Sequence, residues 1–174
     1  LKIIKESLGH NFERGSGNKL NNLGVGTSKL IKDWLDKYYI KNYIINDDMT
    51  IDVNGDVQLM QTSIIKFPSY IQFRKVEGMF DLESTQMQTL RGCPIYVKGY
   101  FDIRKNNLDS FEFSPKYVGG SFICDNNWGL DKTDGLPDYI GSDFSYTDTN
   151  ISPNAIWRFK NEHIVHGEFV KNDY

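Results

Sequence analysis

Between Val53 and Ile151 the apolar residues return in one arrangement five times. Aligned on a glycine or its substitute, the units centre on Gly55, Gly78, Gly99, Gly120 and Ser142, spaced 23, 21, 21 and 22 residues apart. A β-branched residue stands two positions before each centre (Val53, Val76, Val97, Val118, Ile140), and an apolar one two positions after (Val57, Phe80, Phe101, Phe122, Phe144). A second follows at Leu59, Leu82, Ile103, Cys124 and Tyr146. Alternation with a period of two marks strands, and a repeat of this length means that each unit stacks on its neighbours to bury a shared core. The unit therefore reads strand, turn, irregular return arm, strand. Pro94, Pro115 and Pro137 stand five residues before the centre, whereas Pro68 stands ten before, which predicts an insertion in that turn.

Phe101, Ile103, Asn106 and Leu108 fit LxLxxNxL, the leucine-rich-repeat signature, and three other units fit the same spacing with Thr62, Thr85 or Thr149 at the Asn position. The chain thus resembles the leucine-rich-repeat family. The resemblance implies an α+β repeat: a short solenoid with a parallel concave sheet. An amide or hydroxyl at the Asn position can satisfy backbone groups of adjacent turns, and Asn106 and Asn127 should do so more fully than the threonines. The fourth unit has Gly129 where a leucine is expected, so Trp128 or Leu130 fills that hole. Ile64, Leu90 and Phe111 should enter the core from the return arms, while Thr133 makes the fourth unit the loosest.

Solenoids need their apolar ends covered. Residues 1–26 read as a flexible or extended lead-in, and residues 27–52 as a helix and hairpin cap. Thr27 or Ser28 N-caps the helix, and Leu30, Ile31, Trp34, Leu35 and Tyr38 share one face. Tyr43–Ile45 and Met49–Val53 flank an Asn-Asp-Asp turn. After about five repeats over 53–151, residues 152–174 read as a helical cap and tail, opened by Ser152 and Pro153. Trp34 and Trp157 should plug the two ends. Helix, hairpin, Gly92-Cys93-Pro94 turn and closing Trp helix together resemble leucine-rich-repeat-like proteins of tailed bacteriophages, as do Phe12 to Gly15 and Leu23 to Gly26. That resemblance implies a place in the host cytoplasm or the virion.

Composition narrows the function. The net charge is -3, without the basic excess that nucleic acid or an anionic membrane would call for, and no apolar run is long enough to span a bilayer. Two cysteines are too few for a disulfide framework or a cysteine-built zinc site. Cys124 should be buried and inert, and Cys93, in a turn, exposed. His163 and His166 form a weak metal pattern better read as packing. No metal or other cofactor is implied.

The residues between the core positions of each second strand are expected on the open face, and its centre is the candidate binding site: Met79, Asp81, Glu83, Tyr100, Asp102, Arg104, Ile123 and Asp125. Asp81 and Asp102 should lie side by side, and Arg104 between Glu83 and Asp125. An acidic face of this kind suits a protein partner with a basic surface, in a module that is not an enzyme. Two other readings remain open from sequence. One is a structural virion component that uses its flanks. The other is a nucleotide-binding protein or enzyme built on Gly15, Gly17, Gly24 and Gly26, whose spacing departs from a phosphate loop.

Overall fold

The computed structural model describes residues 19–171. Helix α1 (Lys19–Lys37) leads into a hairpin of β1 (Tyr43–Ile45) and β2 (Ile51–Val53). The chain then coils through β3 (Val57–Gln58), β4 (Phe73–Val76), β5 (Phe80–Asp81), β6 (Tyr96–Val97) and β7 (Phe101–Asp102). It continues through β8 (Tyr117–Val118), β9 (Phe122–Ile123), β10 (Tyr139–Ile140), β11 (Phe144–Ser145), α2 (Pro153–Glu162), β12 (Ile164–Val165) and β13 (Phe169–Val170). The result is a parallel-sheet β-solenoid of about five turns carrying two helices.

Each turn contributes two short strands to two different sheets, one on either side of the glycine corner. Sheet A runs β1-β2-β4-β6-β8-β10-β12 and sheet B runs β13-β11-β9-β7-β5-β3. All pairings are parallel except β1 with β2. Register follows the sequence repeat. Phe80, Phe101, Phe122, Phe144 and Phe169 pair in succession along sheet B, with ring centroids 5.3–5.8 Å apart. The first four are fully buried, and Val53, Val76, Val97, Val118 and Ile140 form the matching core column of sheet A.

A sixth strand pair lies beyond the five predicted units. Val165, Gly167 and Phe169 repeat the pattern 25 residues after Ser142, and β12 and β13 pair in parallel with β10 and β11. Helix α2 therefore occupies the position of a return arm, with β12 and β13 following it. Ser152 does N-cap α2, its side chain accepting from Ala155 N at 3.2 Å, with Pro153 in the first turn. Trp157, however, is exposed, while Ile156 and Phe159 are buried. Residues 156, 159 and 163 share the inward stripe, and 157 is turned about 100° away from it.

At the other end α1 begins at Lys19, so Gly24, Val25 and Gly26 are helical and not an extended lead-in. Ile31, Trp34 and Leu35 are buried as expected, with Trp34 against Phe67 and Phe73. Leu30 is half exposed, because the inward stripe runs 31, 34, 35, 38 and leaves it to one side.

Ile64, Leu90 and Phe111 are buried on their return arms. In the fourth unit Leu130, not Trp128, fills the hole left by Gly129, and Leu136 is buried where Thr133 offers nothing apolar. Leu136 also completes a column not read from sequence: Phe67, Cys93, Ser114 and Leu136, each just before a proline, are all buried. Cys93 is thus a core residue and not an exposed turn thiol. Burial pushes the Cys93 and Cys124 thiols well above their usual range.

One corner conformation recurs. Gln61, Ser84, Lys105, Asn126 and Asp148 all adopt left-handed φ of 52–57°, just before the Asn/Thr position. Asn106 donates to Leu82 O (2.8 Å) on the preceding turn and Ile103 O (3.0 Å) on its own, and its Oδ1 accepts from Met87 N (2.8 Å) and Thr85 Oγ1 (2.9 Å). Asn127 repeats this with Ile103 O, Cys124 O and Leu108 N. Thr62 and Thr149 instead donate to the carbonyls of Leu59 and Tyr146, three residues back in their own turn.

Candidate functional site

The outer side of sheet B carries the predicted face, and the structure divides its residues into two kinds. Met79, Glu83, Tyr100, Arg104, Ile123 and Asp125 are half-buried and reachable. Asp81 and Asp102 are not: they are 4% and 0% exposed. The correction has a local cause. Each carboxylate bends back over its own strand, and Oδ1 accepts the backbone N–H two residues on, Glu83 N at 2.9 Å and Arg104 N at 3.0 Å. The two aspartates are register partners, as the repeat predicts.

Arg104 lies against this pair. Its Nη2 is 2.7 Å from Asp102 Oδ2 and its Nε 3.5 Å from Glu83 Oε2. The first contact is close enough for an ion pair but poorly aligned. Asp102 Oδ2, and Arg104 Nε at its longer distance from Glu83, have no hydrogen-bond partner among the described residues. Burial raises the Asp102 carboxyl to about 6, with Asp81 adding to the rise and Arg104 opposing it. Glu83 is held below the usual carboxylate range by a hydrogen bond from Lys105 Nζ (2.9 Å), with Arg104 also contributing. Tyr100 is raised by burial and then by Asp81 and Asp102. Asp125 is committed to the next turn, its Oδ1 accepting from Ser145 Oγ (2.7 Å) and Thr147 N (2.8 Å).

A second surface feature escaped the sequence reading. Tyr96, Tyr117 and Tyr139 stack along the outer side of sheet A at 4.7 Å, with interplanar angles of 5° and 1°. Lys75 Nζ covers one end of the stack at 5.4 Å from the Tyr96 centroid, and His166 the other at 5.3 Å from Tyr139. The rings spend their faces on each other and show their edges outward. The signal was present in the sequence: a tyrosine three residues before each of the last three repeat centres.

The remaining candidates resolve simply. His163 Nδ1 donates to Pro137 O (2.9 Å), and its ring packs on Phe159. No group of three or more His, Cys, Asp or Glu side chains is placed to hold a metal ion among the described residues. Gly24, Gly26, Thr27, Ser28 and Lys29 lie within α1 and form no phosphate-cradling loop, and Gly15 and Gly17 lie outside the described residues. A polar cleft of about 420 Å³ separates Asp131–Gly135 from α2, and its lining mixes Asp131, Asp134 and Glu162 with Lys132 and Arg158. None of the helices among the described residues is long and apolar enough to cross a membrane. No protein-family model, curated protein or solved structure matches the chain.

Proposed function

We propose that the chain is a non-enzymatic protein-binding module of the leucine-rich-repeat type, whose contact surface is the outer side of sheet B. The observation that carries this is the grouping of half-exposed Met79, Tyr100 and Ile123 among Glu83, Arg104 and Asp125. An apolar centre with a charged rim is the usual anatomy of a protein interface. Here it is mounted on a backbone held by ladder bonds at every turn, so little ordering cost is left for binding. The bonding roles of Asn106 and Asn127 support the family reading. The reachable carboxylates, Glu83 and Asp125, favour basic side chains of a partner at the rim. The resemblance to phage-encoded proteins makes a virion or host factor the natural partner class.

The test is retention of partners from the source cell or infected host by the wild-type protein and by Tyr100→Ser/Ile123→Ser. A Gln88→Ser variant on a return arm serves as the control, and folding of each is checked by circular dichroism. A partner held by wild type and control but lost from the double variant is expected. Equal retention by all three would remove the outer side of sheet B as the binding surface.

A further inference from the structure

The two sheets differ by one strand. Sheet A has seven because β1 lies beyond β2, whereas sheet B stops at β3. Among the described residues, the level that β1 occupies in sheet A has no strand in sheet B. A groove of about 370 Å³ lies there, lined by Tyr38, Tyr39, Ile40, Asp56 and Gln58.

The edge of β3 is chemically ready for a strand. Val57 N and Leu59 N donate inward to Met79 O and Asp81 O. In a parallel ladder alternate residues face alternate neighbours, so the N–H and C=O of Gln58 point outward into the groove. They have no partner among the described residues. An open edge of this kind templates pairing with another chain. Its occupant is restricted by what lies beside it. A second copy stacking its last turn here would have to insert both β12 and β13, and β1 already fills the place β12 would need. Only a single strand fits. Among the described residues Asp56, whose Oδ1 also accepts from Met79 N, is the one charged side chain lining the groove, and two tyrosines form its wall, so the complementary side chain is a cation.

We propose that this groove receives one extended peptide segment of a partner protein, apolar at alternate positions and carrying a lysine or arginine toward Asp56, which joins sheet B in parallel as its seventh strand. Backbone pairing with Gln58 supplies affinity and the tyrosine-walled groove supplies side-chain selection. The groove adjoins the Tyr100 surface, since Asp56 Oδ1 accepts from Met79 N (3.0 Å), but its open edge stands whether or not that surface binds anything.

The probe is a displayed library of random nine-residue peptides, followed by synthesis of the tightest binder and amide hydrogen exchange by NMR. In the free protein the Gln58 N–H should exchange fast while those of Val57 and Leu59 are protected. The bound peptide should slow Gln58 exchange at least tenfold. Enriched peptides should alternate apolar residues with Lys or Arg. Gln58→Pro, which removes the outward N–H along with the Gln58 side chain and fixes φ, should weaken binding tenfold or more while leaving Val57 and Leu59 protected. Asp56→Lys should lose the preference for basic peptides. Failure to enrich any peptide, or equal binding to Gln58→Pro, would overturn the proposal. So would a Gln58 N–H already protected in the free protein, meaning the chain's own residues 1–18 fill the groove. Protection that grows with protein concentration, meaning a second copy fills it, would overturn it too.

Discussion

Asp81 and Asp102 are register partners on adjacent parallel strands, and both are buried. Strands in a sheet are about 4.8 Å apart, so two ionised carboxylates at this spacing repel each other, and Arg104 offsets only part of that. The raised Asp102 carboxyl means that folding favours its protonated form. The resulting penalty is absent below the unfolded value of 3.8, grows as pH rises toward about 6, and is fully present above it. Asp102→Asn keeps the acceptor for Arg104 N and removes the charge. Its stability relative to wild type should therefore improve by on the order of 2–3 kcal/mol between pH 4 and pH 7.5, read from urea denaturation at each pH. A difference that does not change with pH would mean that Asp102 is not the titrating group.

The asparagine corners should dominate the lateral stability of the coil. Asn106→Ala strips five hydrogen bonds that tie two turns together and leaves the buried Met87 N unpaired, a loss of about 3 kcal/mol or more. Thr62→Val removes one bond within a single turn and should cost about 1 kcal/mol. Chemical denaturation of the two variants gives the comparison directly.

Two glycines of similar appearance in the sequence should respond in opposite directions. A Cβ at Gly141 would fall on the carbonyl oxygen of Gly119 in the turn below, so Gly141→Ala forces adjacent turns apart. Gly26 has open space around its Cβ direction and lies in α1. Gly26→Ala should raise stability by about 1 kcal/mol, and Gly141→Ala should lower the melting temperature sharply.

Both thiols should be silent to an aqueous disulfide reagent until the chain unfolds, since Cys93 and Cys124 are buried and free. Two equivalents should then react together. Rapid labelling of one thiol in native buffer would show that the turn at Gly92-Cys93-Pro94 opens on its own.

The repeat itself was legible because apolar residues, β-branched in one column and mostly phenylalanine in another, return at a nearly fixed spacing. The strand positions from Val57 to Phe144 could be placed from period alone, as could the pairing of Asp81 with Asp102. Three things were not legible. The sixth pair at Val165 and Phe169 was hidden because α2 stretches the spacing to 25 residues. The burial of Asp81 and Asp102 depends on carboxylates folding back onto their own backbone, which an alternation rule assigns to the outside. The exposure of Trp157 turns on one step of helix rotation, too small a difference to read from a ten-residue helix. Size and aromaticity suggested a plug there, but helix phase gave the place to Phe159.

The left-handed corner before the Asn/Thr position is held by glutamine, serine, lysine, asparagine and aspartate in turn. Five unlike residues in one conformation mean that the neighbouring layers impose the shape and the occupant merely tolerates it. Identity at that rim is consequently free to drift. A scaffold of this design can acquire new outward chemistry by single substitutions, without renegotiating its interior, and so can keep pace with a partner that changes.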